Sequence, residues 1–118
     1  MRLVACVAVA GLCLAGCQRQ GGTVLGQRPD PSAATVEVPE ARAASRGQRV
    51  KVRGRIIEKC PTAGCWFVMQ SGGVPLKVDT KTAGFVVLDV PVGAEVVVQG
   101  QRLEDGSEPV LAADGIQY

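Results

Sequence analysis

The sequence contains no histidine. That absence removes the commonest metal ligand and the usual general base at neutral pH, so a serine or cysteine nucleophile would have no conventional proton acceptor. Aromatic residues are scarce, with 1 Trp, 1 Tyr and 2 Phe in 118 residues, so the core has to be built from Val, Leu and Ile. Neither sign of charge dominates. From Arg49 to Tyr118 eight basic residues face eight acidic ones, without the basic excess that nucleic-acid binding requires. The longest apolar run, Leu3 to Ala15, is too short to span a bilayer as a helix, and no internal repeat or heptad is present.

What that run does have is the form of a secretory signal. Met1-Arg2 gives a short positive start, and Leu14-Ala15-Gly16-Cys17 closes it with small residues ahead of a cysteine. The tetrapeptide resembles a bacterial lipobox, which implies cleavage before Cys17 and acylation of its sulfur, with membrane attachment through the lipid. Residues 1–16 are then a lipoprotein signal peptide. Several acyl chains on one cysteine anchor firmly, because each buried methylene contributes about 0.8 kcal/mol. In a Gram-negative envelope, Gln18 after the cysteine resembles the default sorted to the periplasmic face of the outer membrane. Cys6 and Cys13 leave with the signal, so Cys60 and Cys65 remain as a pair in a compartment where disulfides persist.

Residues 17–48 are rich in Gly, Ala, Pro, Ser and Arg, and Gly21-Gly22, Pro29-Asp30-Pro31 and Pro39 interrupt any regular pattern. Such a stretch is expected to be a flexible tether with a reach of roughly 30 Å. Glu40 to Ser45 has the makings of no more than one helical turn.

Residues 49–118 carry the patterning of a folded domain. Val50, Val52, Gly54 and Ile56 alternate with Lys51, Arg53 and Arg55 in a first strand. Cys65 to Gln70 predicts a second, and Ser71-Gly72-Gly73 turns into a third, where Val74, Leu76 and Val78 alternate with Pro75, Lys77 and Asp79. Pro75 lacks an amide donor and belongs on the outward or edge side. A break at Thr80 to Gly84 leads to an apolar plug, Phe85 to Leu88, and Pro91-Val92-Gly93 reads as a turn. Ala94, Val96 and Val98 begin a fourth strand, and Glu104-Asp105-Gly106-Ser107 is a hairpin signal into a fifth through Val110 to Ala113. Five short strands with the longest irregular connection between the third and fourth predict an all-β, OB-fold-like barrel, with a small SH3-like barrel as the alternative.

The cysteine loop Cys60-Pro61-Thr62-Ala63-Gly64-Cys65-Trp66 lies between the first two strands. The carried motif Cys60, Gly64, Cys65 and Trp66 follows Val52-Arg53-Gly54 and precedes Phe85, Pro91, Gly93 and Val98-Gln99-Gly100. In this it resembles a group of small secreted bacterial OB-fold proteins of unknown function that carry a Cys-x-x-x-Gly-Cys-Trp motif. The likeness spans roughly the last seventy residues and departs from the pattern at Phe67, where methionine is expected, and in its short connector. It implies a fold and a secreted location, not an activity.

Chemically the loop has three readings. Cys60 and Cys65 can close a structural disulfide, which constrains a domain near the lower size limit for a self-sufficient core. They can cycle as redox thiols, although neither the Cys-x-x-Cys spacing nor the βαβ pattern of thioredoxin-like enzymes is present. With the thioether of Met69 they can offer three sulfurs to copper(I), whereas two cysteines fall short of a structural zinc site. Trp66 is either the largest core residue or a stacking platform on the ligand face of the barrel. Lys51, Arg53, Arg55 and Lys77 are candidates for a binding face beside Trp66 and Phe67, or for a solvated outer surface. The function expected is a lipid-anchored envelope module, not an enzyme, binding an envelope protein or a small ligand without a cofactor. Thiol redox or copper(I) handling through Cys60 and Cys65 is the alternative.

Overall fold

The computed structural model describes residues 22–118, so the expected signal peptide and Cys17 lie outside the described residues. Seven strands and one short helix follow in the order β1 (Val24–Gly26), β2 (Thr35–Glu37), α1 (Val38–Arg42), β3 (Arg49–Lys59), β4 (Trp66–Ser71), β5 (Val74–Asp79), β6 (Glu95–Asp105) and β7 (Glu108–Gln117). The last five close on themselves. β3 pairs antiparallel with β4 and β6, β4 with β5, and β6 with β7, while β5 and β7 close the cylinder in parallel. Closure removes the open edges that an isolated sheet would expose to pairing with another chain.

The alternation that predicts the strands also fills the barrel. Val52, Gly54 and Ile56 on β3, Phe67 and Met69 on β4, and Leu76 and Val78 on β5 point inward, facing Val96 and Val98 on β6 and Leu111, Ala113 and Ile116 on β7. Pro75 is exposed near the start of β5, as its missing amide requires.

The expected tether is corrected from Gly22 onward. β1 pairs with β7, and backbone bonds run both ways between Thr23 and Tyr118 at 3.0 and 2.9 Å. β2 pairs in parallel with β3 through Thr35, Val36 and Glu37. These two strands cover the parts of β7 and β3 that β5 and β4 leave unpaired. Between them residues 27–34 form a strap over the outer face of β6, where the Asp30 amide donates to Gln99 Oε1 at 2.6 Å. The strap turns on Asp30, whose carboxylate accepts from the Ser32 amide and hydroxyl at 2.9 and 2.8 Å.

α1 then closes one end of the barrel. Pro39 stands in its first turn, where the missing amide costs nothing, and Val38 and Ala41 are fully buried on the core. The Val38 amide donates to Ser71 Oγ at 2.7 Å. Arg102, buried at 8% exposure, sends Nε and Nη2 to the Arg42 carbonyl at 3.2 and 2.8 Å and Nη1 to Glu104 at 2.9 Å. The connector of residues 80–94 closes the opposite end, with Val87 and Val90 fully buried. Val86 and Leu88 stay exposed, so the expected apolar plug is only half inserted.

Candidate functional site

The cysteine loop and the connector meet at that second end. The Cys60 amide donates to the Trp66 carbonyl at 3.1 Å and closes the loop at the mouth of the β3–β4 hairpin. Gly64 holds φ at +64°, its carbonyl accepts from the Val87 amide at 2.9 Å, and a Cβ there would stand 2.8 Å from Leu88 Cγ. The Thr80 amide donates to the Cys65 carbonyl at 3.0 Å. Beneath the connector Lys59 Nζ donates to the carbonyls of Val87, Leu88 and Val90 at 3.3, 3.0 and 2.6 Å. Loop and connector therefore form one hydrogen-bonded unit, and Lys59 is its fixed cation. Nothing in the sequence reading singled out Lys59. Its position at the end of β3, next to Cys60, was the available signal.

Cys60 and Cys65 are both half-buried, and the structure shows their sulfurs unbridged. Cys60 Sγ accepts from the Ala63 amide at 3.4 Å and lies 3.8 Å from Thr62 Oγ1. The amide of Ala63, then those of Thr62 and Gly64, favour the thiolate and lower the Cys60 pKa from the ordinary thiol value to about 6.

The copper(I) arrangement is corrected. Met69 is fully buried on the inner face of β4, against Gly54, and its thioether does not join the thiols at the loop. Among the described residues no three His, Cys, Asp or Glu side chains gather in a metal-binding group.

The expected binding face divides into parts. Phe67 is corrected to the core, at 0% exposure. Trp66, one register position away, is half-buried on the outer face of β4, with Lys77 Nζ 5.4 Å from its ring centroid. Lys51 holds the strap, donating to the carbonyls of Asp30 and Ala33 at 2.7 and 3.3 Å. Arg53 pairs with Glu37 at 3.3 Å, and Arg55 donates to the Gly93 carbonyl at 3.1 Å. Lys51, Arg53 and Arg28 line a cavity of about 330 Å³ between strap and sheet. Of the four candidate cations, Lys51 thus ties the strap to β3, Arg53 ties β2 and Arg55 ties the connector, and only Lys77 accompanies Trp66.

No protein family and no curated protein matches the chain. Among solved structures, the hypothetical protein YgiW from E. coli matches at a TM-score of 0.57 and 21% identity, over 79% of this chain and 98% of that one. A putative aspartyl-tRNA synthetase from Leishmania major Friedlin matches at 0.60 and 13% identity, over 82% of this chain but only 23% of its own. The S. pombe Stn1–Ten1 complex matches at 0.54 and 13% identity, over 72% of this chain and 74% of that chain. The fold is an OB-fold. At these identities the likeness reaches no further than architecture.

On this OB-fold Trp66 and Lys77 lie on the outer face of the second and third barrel strands, beside the loop joining the first and second. OB-folds commonly engage ligands across that face and loop. The large exposed hydrophobics among the described residues cluster just past the loop. Ile57 lies at the β3 irregularity, while Val86, Leu88 and Val92 belong to the connector, and the four are 42 to 57% exposed. Backbone bonding sets Val92 near Ile57, because Gly93 donates to the Ile56 carbonyl at 2.8 Å, while Leu88 covers Gly64 of the loop.

Proposed function

We propose that the chain is a lipid-anchored cell-envelope OB-fold module that binds a partner protein at the barrel end formed by the cysteine loop and the connector. The observation that carries the reading is the gathering of Ile57, Val86, Leu88 and Val92 at that one end. Scattered apolar side chains are ordinary on a protein surface, whereas four large ones on a single loop-and-connector end mark a candidate contact surface. Its aliphatic character suits a polypeptide better than a small polar molecule. The balanced charge of the barrel argues against nucleic acid. Leu14-Ala15-Gly16-Cys17 supports the anchor.

Two measurements test the halves separately. Cys17→Ser should move the protein from the membrane fraction to the soluble one, and retention at the level of the unaltered chain removes the anchor. A photo-crosslinking residue at Leu88 should capture an envelope protein in living cells. The same residue at Glu108, which pairs with Arg42 at the α1 end, should not. Equal capture from both positions removes the barrel-end surface.

A further inference from the structure

The unbridged thiols stand at the edge of this apolar surface. Gly64 and Cys65 follow the turn that surrounds Cys60 Sγ, and Leu88 lies directly over Gly64. We propose that Cys60 and Cys65 form a thiol–disulfide exchange pair, Cys60 attacking and Cys65 resolving, that acts on a disulfide within an apolar stretch of polypeptide seated on Leu88, Ile57 and Val92. The occupant follows from the proposed barrel-end contact surface, on which this inference rests. A thiolate seeks an electrophilic sulfur, and the aliphatic side chain that the geometry fixes against the same loop is Leu88, over Gly64.

The geometry separates the two sulfurs. Cys60 Sγ accepts from the Ala63 amide and has the Thr62 hydroxyl nearby, an arrangement that favours its anion without any histidine. With its pKa lowered to about 6, most of Cys60 is thiolate at neutral pH. Because the folded value lies below the unfolded one, the stabilisation this anion gives the fold is full above the ordinary thiol range and is lost as pH falls through about 6.

In the exchange, Cys60 thiolate attacks one sulfur of the substrate disulfide. That S–S bond breaks, and the other substrate sulfur leaves as a thiolate. Cys65 sulfur then attacks Cys60 Sγ in the mixed disulfide, its proton passing to a departing thiolate. The Cys60–Cys65 disulfide forms and the second substrate sulfur is released. The pair loses two electrons and the substrate disulfide gains them. The structural disulfide expected from the sequence becomes the oxidised form of this pair.

The test uses the full chain with Cys6, Cys13 and Cys17 replaced by serine, so that Cys60 and Cys65 are its only thiols. The probes are hydroxyethyl disulfide and a synthetic disulfide peptide with aliphatic flanks. Adding C65S should trap either probe as a stable adduct on Cys60, with a rate that rises with pH around a midpoint near 6. The chain retaining both cysteines should release the probe thiol and end lighter by two hydrogens. Adding C60S instead should slow adduct formation about tenfold at neutral pH. Equal rates for C60S and C65S overturn the assignment, and a mixed disulfide that persists with both cysteines present overturns resolution by Cys65. Leu88→Asp should slow the aliphatic peptide about tenfold and leave hydroxyethyl disulfide unchanged. If it slows neither probe, the contact surface falls while the thiol chemistry stands. Failure of hydroxyethyl disulfide to react overturns the thiol chemistry and leaves the surface untouched.

Discussion

The two ends of the barrel are closed by different means. At one end α1 buries Val38 and Ala41 completely, and the carbonyl it exposes at Arg42 is taken up by the Arg102 guanidinium. At the other, the connector buries Val87 and Val90 but leaves Val86 and Leu88 outside, beside two thiols. Both ends satisfy their backbone groups, one through Arg102 and the other through Lys59. They differ in what remains exposed. The α1 end presents charged and polar groups such as Glu108 and Arg42, whereas the loop end presents aliphatic carbon on the unit that also carries Cys60 and Cys65. An end that serves only to close the core has no reason to leave that carbon in water, since each large aliphatic side chain buried contributes about 2 kcal/mol.

The comparison breaks most severely if the α1 end is removed. A chain starting at Gln48 loses Val38, Ala41, β1 and β2, opening the core and the free parts of β3 and β7. Its thermal melt should lose cooperativity. A cooperative melt matching that of the intact chain would reduce α1 and the strap to decoration. Next comes Arg102→Met, which keeps the bulk and removes the charge-assisted bonds to the Arg42 carbonyl. Urea unfolding should report a loss of about 2 kcal/mol, and no loss would mean that the Arg102 bonds do not hold α1. Smallest is Gly64→Ala at the loop end, expected to cost about 1.5 kcal/mol for a side chain at positive φ. Combining it with Leu88→Ala sharpens the result, because that removes the clash and keeps the backbone strain. Full recovery in the double variant would assign the whole cost to Leu88.

The barrel was legible where alternation ran for several residues. β3, β5 and the start of β6 carry Val, Leu, Ile or Gly at every second position, so their inward faces could be named in advance. β4 was placed correctly along the chain, but Phe67 was assigned to the outer face. A strand's parity is invisible when both of its first residues are aromatic, and a slip of one residue exchanges the faces. The pairing of Phe67 with Val78 and of Met69 with Leu76 sets the parity here, and nothing local to β4 marks it. The strap and α1 were missed for a different reason. Three-residue strands and a five-residue helix are too short to show a period, and their stability comes from β7, β3 and the core. The cysteine loop stood out by composition. Its thiolate-favouring turn and its link to the connector depend on which backbone amides face Sγ, a matter of conformation that residue type does not encode.

The pairing of Thr23 with Tyr118 has a consequence for distance from the membrane. If Cys17 carries the lipid, five residues separate it from the first pinned position, and at full extension they span about 20 Å. The coil expected from residues 17–48 would have been a long leash with a wide search volume. With its strap docked, a module so anchored would instead be moored close to the headgroups, within reach only of what comes to the bilayer surface.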